Sequence, residues 1–161
     1  MASNVNVVSC HVTTPLRRRN DSPPDPVHEP IRVLIAEDDE NFSVWVASIA
    51  RRLGLTVATA TNGVEALKKL KAAHFDLLIS DFEMPRKDGL ALIAEVRANP
   101  EMSGLYAVML TAHDELSVKV TALTLGYDDF LAKGCTEVEV VAKVAAARRI
   151  LARQRALHAD A

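Results

Sequence analysis

The chain has 161 residues, 49% hydrophobic and 25% charged, with 19 Lys+Arg against 21 Asp+Glu and a formal net charge of −2. That length suits one domain whose core needs no staples, and that balance excludes a protein gripping nucleic acid or an anionic membrane with its whole surface. Two distant cysteines, Cys10 and Cys135, and scattered histidines form neither a disulfide framework nor a zinc spacing; no apolar run approaches a membrane span, so a soluble domain in the reducing cytoplasm is expected.

Residues 1–30 read as a disordered Pro-rich arm. Pro23, Pro24, Pro26 and Pro30 crowd its end, which neither a helix nor an inner strand tolerates. Arg17, Arg18 and Arg19 read as a solvated charge run balanced by Asp21, Asp25 and Glu29, with contact to an acidic partner the alternative. From Ile31 onward, short β-branched runs alternate with segments of helical period. Strands are predicted over Ile31–Ala36, Leu55–Ala60, Phe75–Ser80, Leu105–Leu110 and Tyr127–Leu131. Helices are predicted over Asn41–Leu53, Val64–Ala73, Leu90–Ala98, His113–Leu125 and from Thr136 to about Leu157. Gly54 and Gly126 suit left-handed helix ends, Asn62 with Glu65 and Thr136 with Glu139 have capping-box spacing, and Asp88-Gly89 marks a turn. Such alternation implies an α/β fold, a doubly wound five-stranded parallel sheet.

In such sheets ligands bind beyond the carboxyl ends of the strands. Glu37-Asp38-Asp39 follow the first strand and Asp81 the third; Thr111 follows the fourth, and Lys133 lies just past the fifth. Each has an ordinary explanation by itself: an Asp or Thr capping a helix or turn, a surface lysine. Together, at the ends of four strands, they make a cluster. Crowded acids repel unless a cation sits among them, and oxygen-only ligands with room for water favour Mg²⁺. Mg²⁺ beside a carboxylate, with a lysine and a hydroxyl nearby, suits phosphoryl transfer to an Asp nucleophile.

The motifs resemble those of the response regulator receiver domain. Asp81-Phe82-Glu83-Met84-Pro85-Arg86-Lys87-Asp88-Gly89 is similar to the family's Asp-x-x-Met-Pro-x-x-Asp-Gly segment. Leu110-Thr111-Ala112 resembles its fourth-strand Thr/Ser motif, and Gly126-Tyr127-Asp128-Asp129-Phe130-Leu131-Ala132-Lys133 its Gly-Ala-x-(Asp/Glu)-(Tyr/Phe)-Leu-x-Lys run. The resemblance covers residues 31–153 and implies a flavodoxin-like (βα)5 fold with strand order 2-1-3-4-5. It implies that Asp81 is the phosphoacceptor for a bacterial histidine kinase or phosphotransfer protein. It implies that Asp38 and Asp81 bind Mg²⁺ with the backbone carbonyl of Glu83, and Glu37 through water. Thr111 and Lys133 would hold phosphoryl oxygens. Thr111 and Phe130 would then shift the surface of the fourth helix, fifth strand and fifth helix toward a downstream protein. The chain departs from the family where Lys-Pro is usual: Gly134 follows Lys133, so a trans peptide is expected. A phosphorylation-independent interaction module and a Mg²⁺-dependent phosphohydrolase are the alternatives.

The last helix carries a core stripe at Val140, Val144, Ala147 and Leu151. Arg148, Arg149, Arg153 and Arg155 are expected on its exposed side, and residues 154–161 as a basic tail, with a linker or homodimer contact the alternative. No output domain is expected to follow, which assigns the output to a partner protein.

Overall fold

Strands β1 (Arg32–Ala36), β2 (Thr56–Ala60), β3 (Leu77–Asp81), β4 (Tyr106–Thr111) and β5 (Asp129–Ala132) form one parallel sheet in the order β2-β1-β3-β4-β5. The computed structural model describes residues 29–160. The arm expected over 1–30, with its arginines and Cys10, therefore lies outside the described residues apart from Glu29 and Pro30. Every residue of β3 and β4 is buried, because helices cover both faces and alternate side chains enter opposite layers. Helices α1 (Glu40–Arg52) and α5 (Glu137–Ala159) cover one face, where Val33, Ile35, Leu77, Ile79, Val108 and Leu110 meet Val46, Ile49, Val140 and Val144. On the other face Leu34, Leu78, Ala107 and Met109 meet α2 (Gly63–Ala72), α3 (Gly89–Ala98) and Ala122 of α4 (Leu116–Leu125). This is the five-stranded flavodoxin-like architecture that the alternation and the motifs predicted.

Local chemistry sets the boundaries. Asp39, Asn62, Asp88 and Thr136 cap α1, α2, α3 and α5 by accepting from Phe42, Glu65, Ala91 and Glu139 N–H groups. The box at Thr136 is reciprocal, but Glu65 returns to the backbone N–H of Thr61 rather than to Asn62. Gly54 (φ +84°) and Gly126 (φ +126°) occupy the positive-φ backbone expected of them.

Two expectations need correcting. The fourth helix starts at Leu116, not His113, because the His113 N–H is taken by the Thr111 hydroxyl at 2.9 Å and the chain runs on as loop. Arg155 is not free on the exposed side of α5: it donates to the Glu29 carbonyl at 2.7 Å and pairs with buried Asp76 at 2.8 Å. Helix α5 continues to Ala159. Among the described residues, no helix is long and apolar enough to cross a membrane.

Candidate functional site

The strand register brings Ala36 beside Ser80, and Asp81 beside Leu110, so the residues that follow β1, β3 and β4 meet at one end of the sheet. Asp81 is its centre, 3% exposed. One carboxylate oxygen, Oδ2, accepts from Lys133 Nζ at 2.8 Å, and Oδ1 accepts from the Glu83 N–H at 3.3 Å. Glu37 is 1% exposed, and its Oε1 accepts from the Asp39 N–H at 3.0 Å and from Lys133 Nζ at 3.1 Å. The same ammonium lies 3.0 Å from Glu37 Oε2, yet that buried oxygen makes no hydrogen bond. Asp38 is exposed at the rim. Asp38, Asp81, Glu83, His113 and Lys133 line an open cavity of about 340 Å³.

Burial sets the electrostatics. Desolvation pushes Glu37 up to about 7, against the pull of the Asp39 N–H and Lys133. Burial likewise raises Asp81 above its ordinary value, although the Lys133 hydrogen bond opposes it. For Lys133 burial alone would lower the pKa, but the hydrogen bonds to Asp81 and Glu37 outweigh it and the ammonium is held charged. The three residues form a compact unit, two acids short of water and one cation between them.

The remaining predicted residues are placed less directly. Thr111 is buried at the end of β4, and its hydroxyl is engaged with the His113 backbone rather than with Asp81. The Glu83 side chain is not at the carboxylate cluster but pairs with His113 Nε2 at 2.8 Å across the cavity rim. Phe130 is half-buried, with the ammonium groups of Lys119 and Lys143 4.9 and 5.5 Å from its ring centroid. Lys133 needs no cis peptide: none occurs among the described residues, and the turn is closed by the Cys135 N–H donating to the Ala132 carbonyl at 3.0 Å.

The family model for the response regulator receiver domain matches residues 33–145. The chain belongs to this family. Among curated proteins similar to this receiver chain is the alkaline phosphatase synthesis transcriptional regulatory protein PhoP of Bacillus subtilis, 36% identical over 73% of this chain and 48% of that protein. The receiver chain spans about half the length of the first curated relatives it matches. Among solved structures, the chemotaxis response regulator CheY4 of Vibrio cholerae is 26% identical with TM-score 0.70, covering 73% of this chain and 98% of that one. The signal receiver domain of a signal transduction histidine kinase from Syntrophus aciditrophicus is 30% identical with TM-score 0.67, covering 75% and 89%.

The receiver's acidic cluster fits a hard divalent cation. Glu37, Asp38 and Asp81 each offer a carboxylate oxygen, all within 4.8 Å of one another. The unsatisfied Glu37 Oε2 is a buried acceptor of the kind a cation or its water would satisfy.

Sequence reasoning missed His113 and Phe42. Helical period makes His113 the first residue of the predicted fourth helix; its place two residues past the strand-end Thr111 is the available signal. Phe42 lies on α1 with Lys133 Nζ 5.6 Å from its ring centroid, and no motif pointed to it.

Proposed function

We propose that this receiver is a phosphorylation switch: Asp81 accepts a phosphoryl group from the phosphohistidine of a cytoplasmic histidine kinase or phosphotransfer protein. The observation that carries this reading is the Asp81 carboxylate itself, buried yet open to a cavity and held at one oxygen by the Lys133 ammonium at 2.8 Å. In the transfer an Asp81 oxygen attacks phosphorus in line, the P–N bond to histidine breaks, and the imidazole leaves as the neutral base once protonated. Lys133, already charged, pairs with a phosphoryl oxygen as a compact point charge. Asp38, Asp81, the Glu83 carbonyl and, through water, Glu37 would hold Mg²⁺, whose contribution when bound is to neutralise phosphoryl oxygens.

The new charge then acts on its surroundings. Thr111 exchanges its His113 backbone contact for a phosphoryl oxygen, and Phe130 turns from its two lysines into the space vacated. Thr111 ends β4 beside Ala132 of β5, and Phe130 lies on β5 between lysines of α4 and α5, so the α4-β5-α5 face changes shape for a downstream protein or a second copy of the chain. We assign residues 31–153 to the switch and 154–161 to a basic tail.

Gly134 in place of the usual proline is what lends a phosphorylation-independent module its plausibility. Lys133 nevertheless reaches both acids, which supports the phosphorylation reading. For a phosphohydrolase, the acid two residues past the nucleophile would be Glu83, whose carboxylate lies at the exposed rim against His113 rather than in the carboxylate cluster. The test is incubation of the full chain with a small phosphodonor and Mg²⁺. Acid-stable, base-labile label is expected on the wild type and none on Asp81→Asn; label retained in Asp81→Asn overturns the assignment, and steady turnover of phosphate esters favours the hydrolase.

A further inference from the structure

The loop that carries Lys133 does not by itself account for where its ammonium sits. The Lys133 N–H donates to the Thr111 carbonyl at 2.9 Å, which places the start of the side chain. The four-carbon stem beyond it keeps several rotatable bonds. Gly134, in the next position, is packed against nothing: a Cβ built there would meet no atom within 4 Å. Yet the ammonium is held between Asp81 and Glu37.

The other side of that ammonium faces α1. Phe42 is half-buried there, and the 5.6 Å from Nζ to its ring centroid lies within the reach of a cation–π contact. The ring is itself held. Asp39 caps α1 by accepting the Phe42 N–H at 2.9 Å, and Trp45 leans on the ring with centroids 5.4 Å apart at 55°.

We propose that Phe42 is a positioning residue for Lys133, its ring keeping the ammonium turned toward Asp81 and Glu37 in place of any constraint from the Lys133-Gly134 loop. Without the ring, the stem is free to swing into the solvent that already reaches a quarter of the lysine side chain (25%). Asp39, the third acid of the Glu37-Asp38-Asp39 run, supports this indirectly by seating Phe42 in the first turn. The inference rests on the role proposed above for Lys133.

The test uses the full chain as wild type, Phe42→Leu, Phe42→Tyr, Lys133→Ala and the Phe42→Leu/Lys133→Ala double variant. NMR of the lysine ε-methylene protons, with neither metal nor phosphodonor present, is the first readout. The Lys133 signal, assigned by its loss in Lys133→Ala, is expected upfield of the other lysines. Phe42→Leu should abolish that ring-current shift and Phe42→Tyr should keep it. Labelling of Asp81 is the second readout: Phe42→Leu should slow it about 3-fold, the scale of one partly exposed cation–π contact, and Phe42→Tyr should recover most of that loss. Adding Phe42→Leu to Lys133→Ala should cost nothing further. An unshifted Lys133 signal in the wild type, or an undiminished Phe42→Leu loss in the Lys133→Ala background, overturns the proposal. A wild type that takes no label overturns the phosphoacceptor reading instead, and the NMR comparison still decides the role of Phe42.

Discussion

Gly89 shows how closely the backbone is packed around the nucleophile. A Cβ there would stand 2.4 Å from the Asp81 carbonyl oxygen and 3.1 Å from Phe82 Cα, backbone atoms that cannot give way. The Asp-Gly at the end of the Asp81–Gly89 segment therefore does two things. Asp88 caps α3, and Gly89 lets that helix begin against the strand carrying Asp81. The Gly89 N–H donates to the Phe82 carbonyl at 2.9 Å, and its own carbonyl accepts the buried Tyr127 hydroxyl at 2.8 Å. Gly89→Ala is expected to destabilise the fold by about 1–3 kcal/mol through overpacking, read as a lower urea midpoint, and to slow Asp81 labelling in the folded protein. Asp81, Glu37 and Lys133 were legible because strand ends can be counted along the chain. His113 and Phe42 were not, because a single histidine in a loop and a phenylalanine on an amphipathic helix have ordinary explanations until distance is known.

The end of α5 is tied to the opposite end of the sheet from Asp81. Buried Asp76 accepts the Arg32 N–H at 2.9 Å, the Arg155 guanidinium at 2.8 Å and His74 at 3.1 Å, joining the start of β1, the entry to β3 and the last turns of α5. Burial by itself would raise the Asp76 pKa, but these donors outweigh it and hold the carboxyl below its ordinary range. A carboxyl whose folded pKa is depressed stabilises the fold above the unfolded value, and that contribution is lost as pH falls through the folded pKa. Urea titrations should show wild-type stability falling below about pH 4. Asp76→Asn should be less stable at pH 7 by about 1–3 kcal/mol and lose less on acidification. An acid limb unchanged in Asp76→Asn would count against this account. The buried stripe at Val140, Val144, Ala147 and Leu151 was readable from helical period. The Arg155–Asp76 pair was not, because exposed arginines near a helix end already suit its dipole.

Taken whole, the molecule has two apolar cores separated by the sheet. Leu92 of α3 lies in one and Val144 of α5 in the other. Leu92→Ala is expected to cost about 2–5 kcal/mol and Val144→Ala about 1–3 kcal/mol, each losing transfer energy and leaving a cavity. The double variant should equal their sum within about 0.5 kcal/mol in urea titrations, since sites without shared partners add; a larger departure would mean the sheet transmits repacking from face to face. The sequence by itself determined the alternation of strands and helices, the caps at Asn62 and Thr136, the turn at Asp88-Gly89 and which acids stand at strand ends, because period and capping chemistry are local. Only the tertiary structure decided that Glu37 is buried with an unsatisfied oxygen while Asp39 caps α1, that Phe42 lies against Lys133, and that Arg155 closes on Asp76. Those contacts join residues far apart in the chain, and their distances depend on how helices of given length lie across a twisted sheet, which no local pattern records.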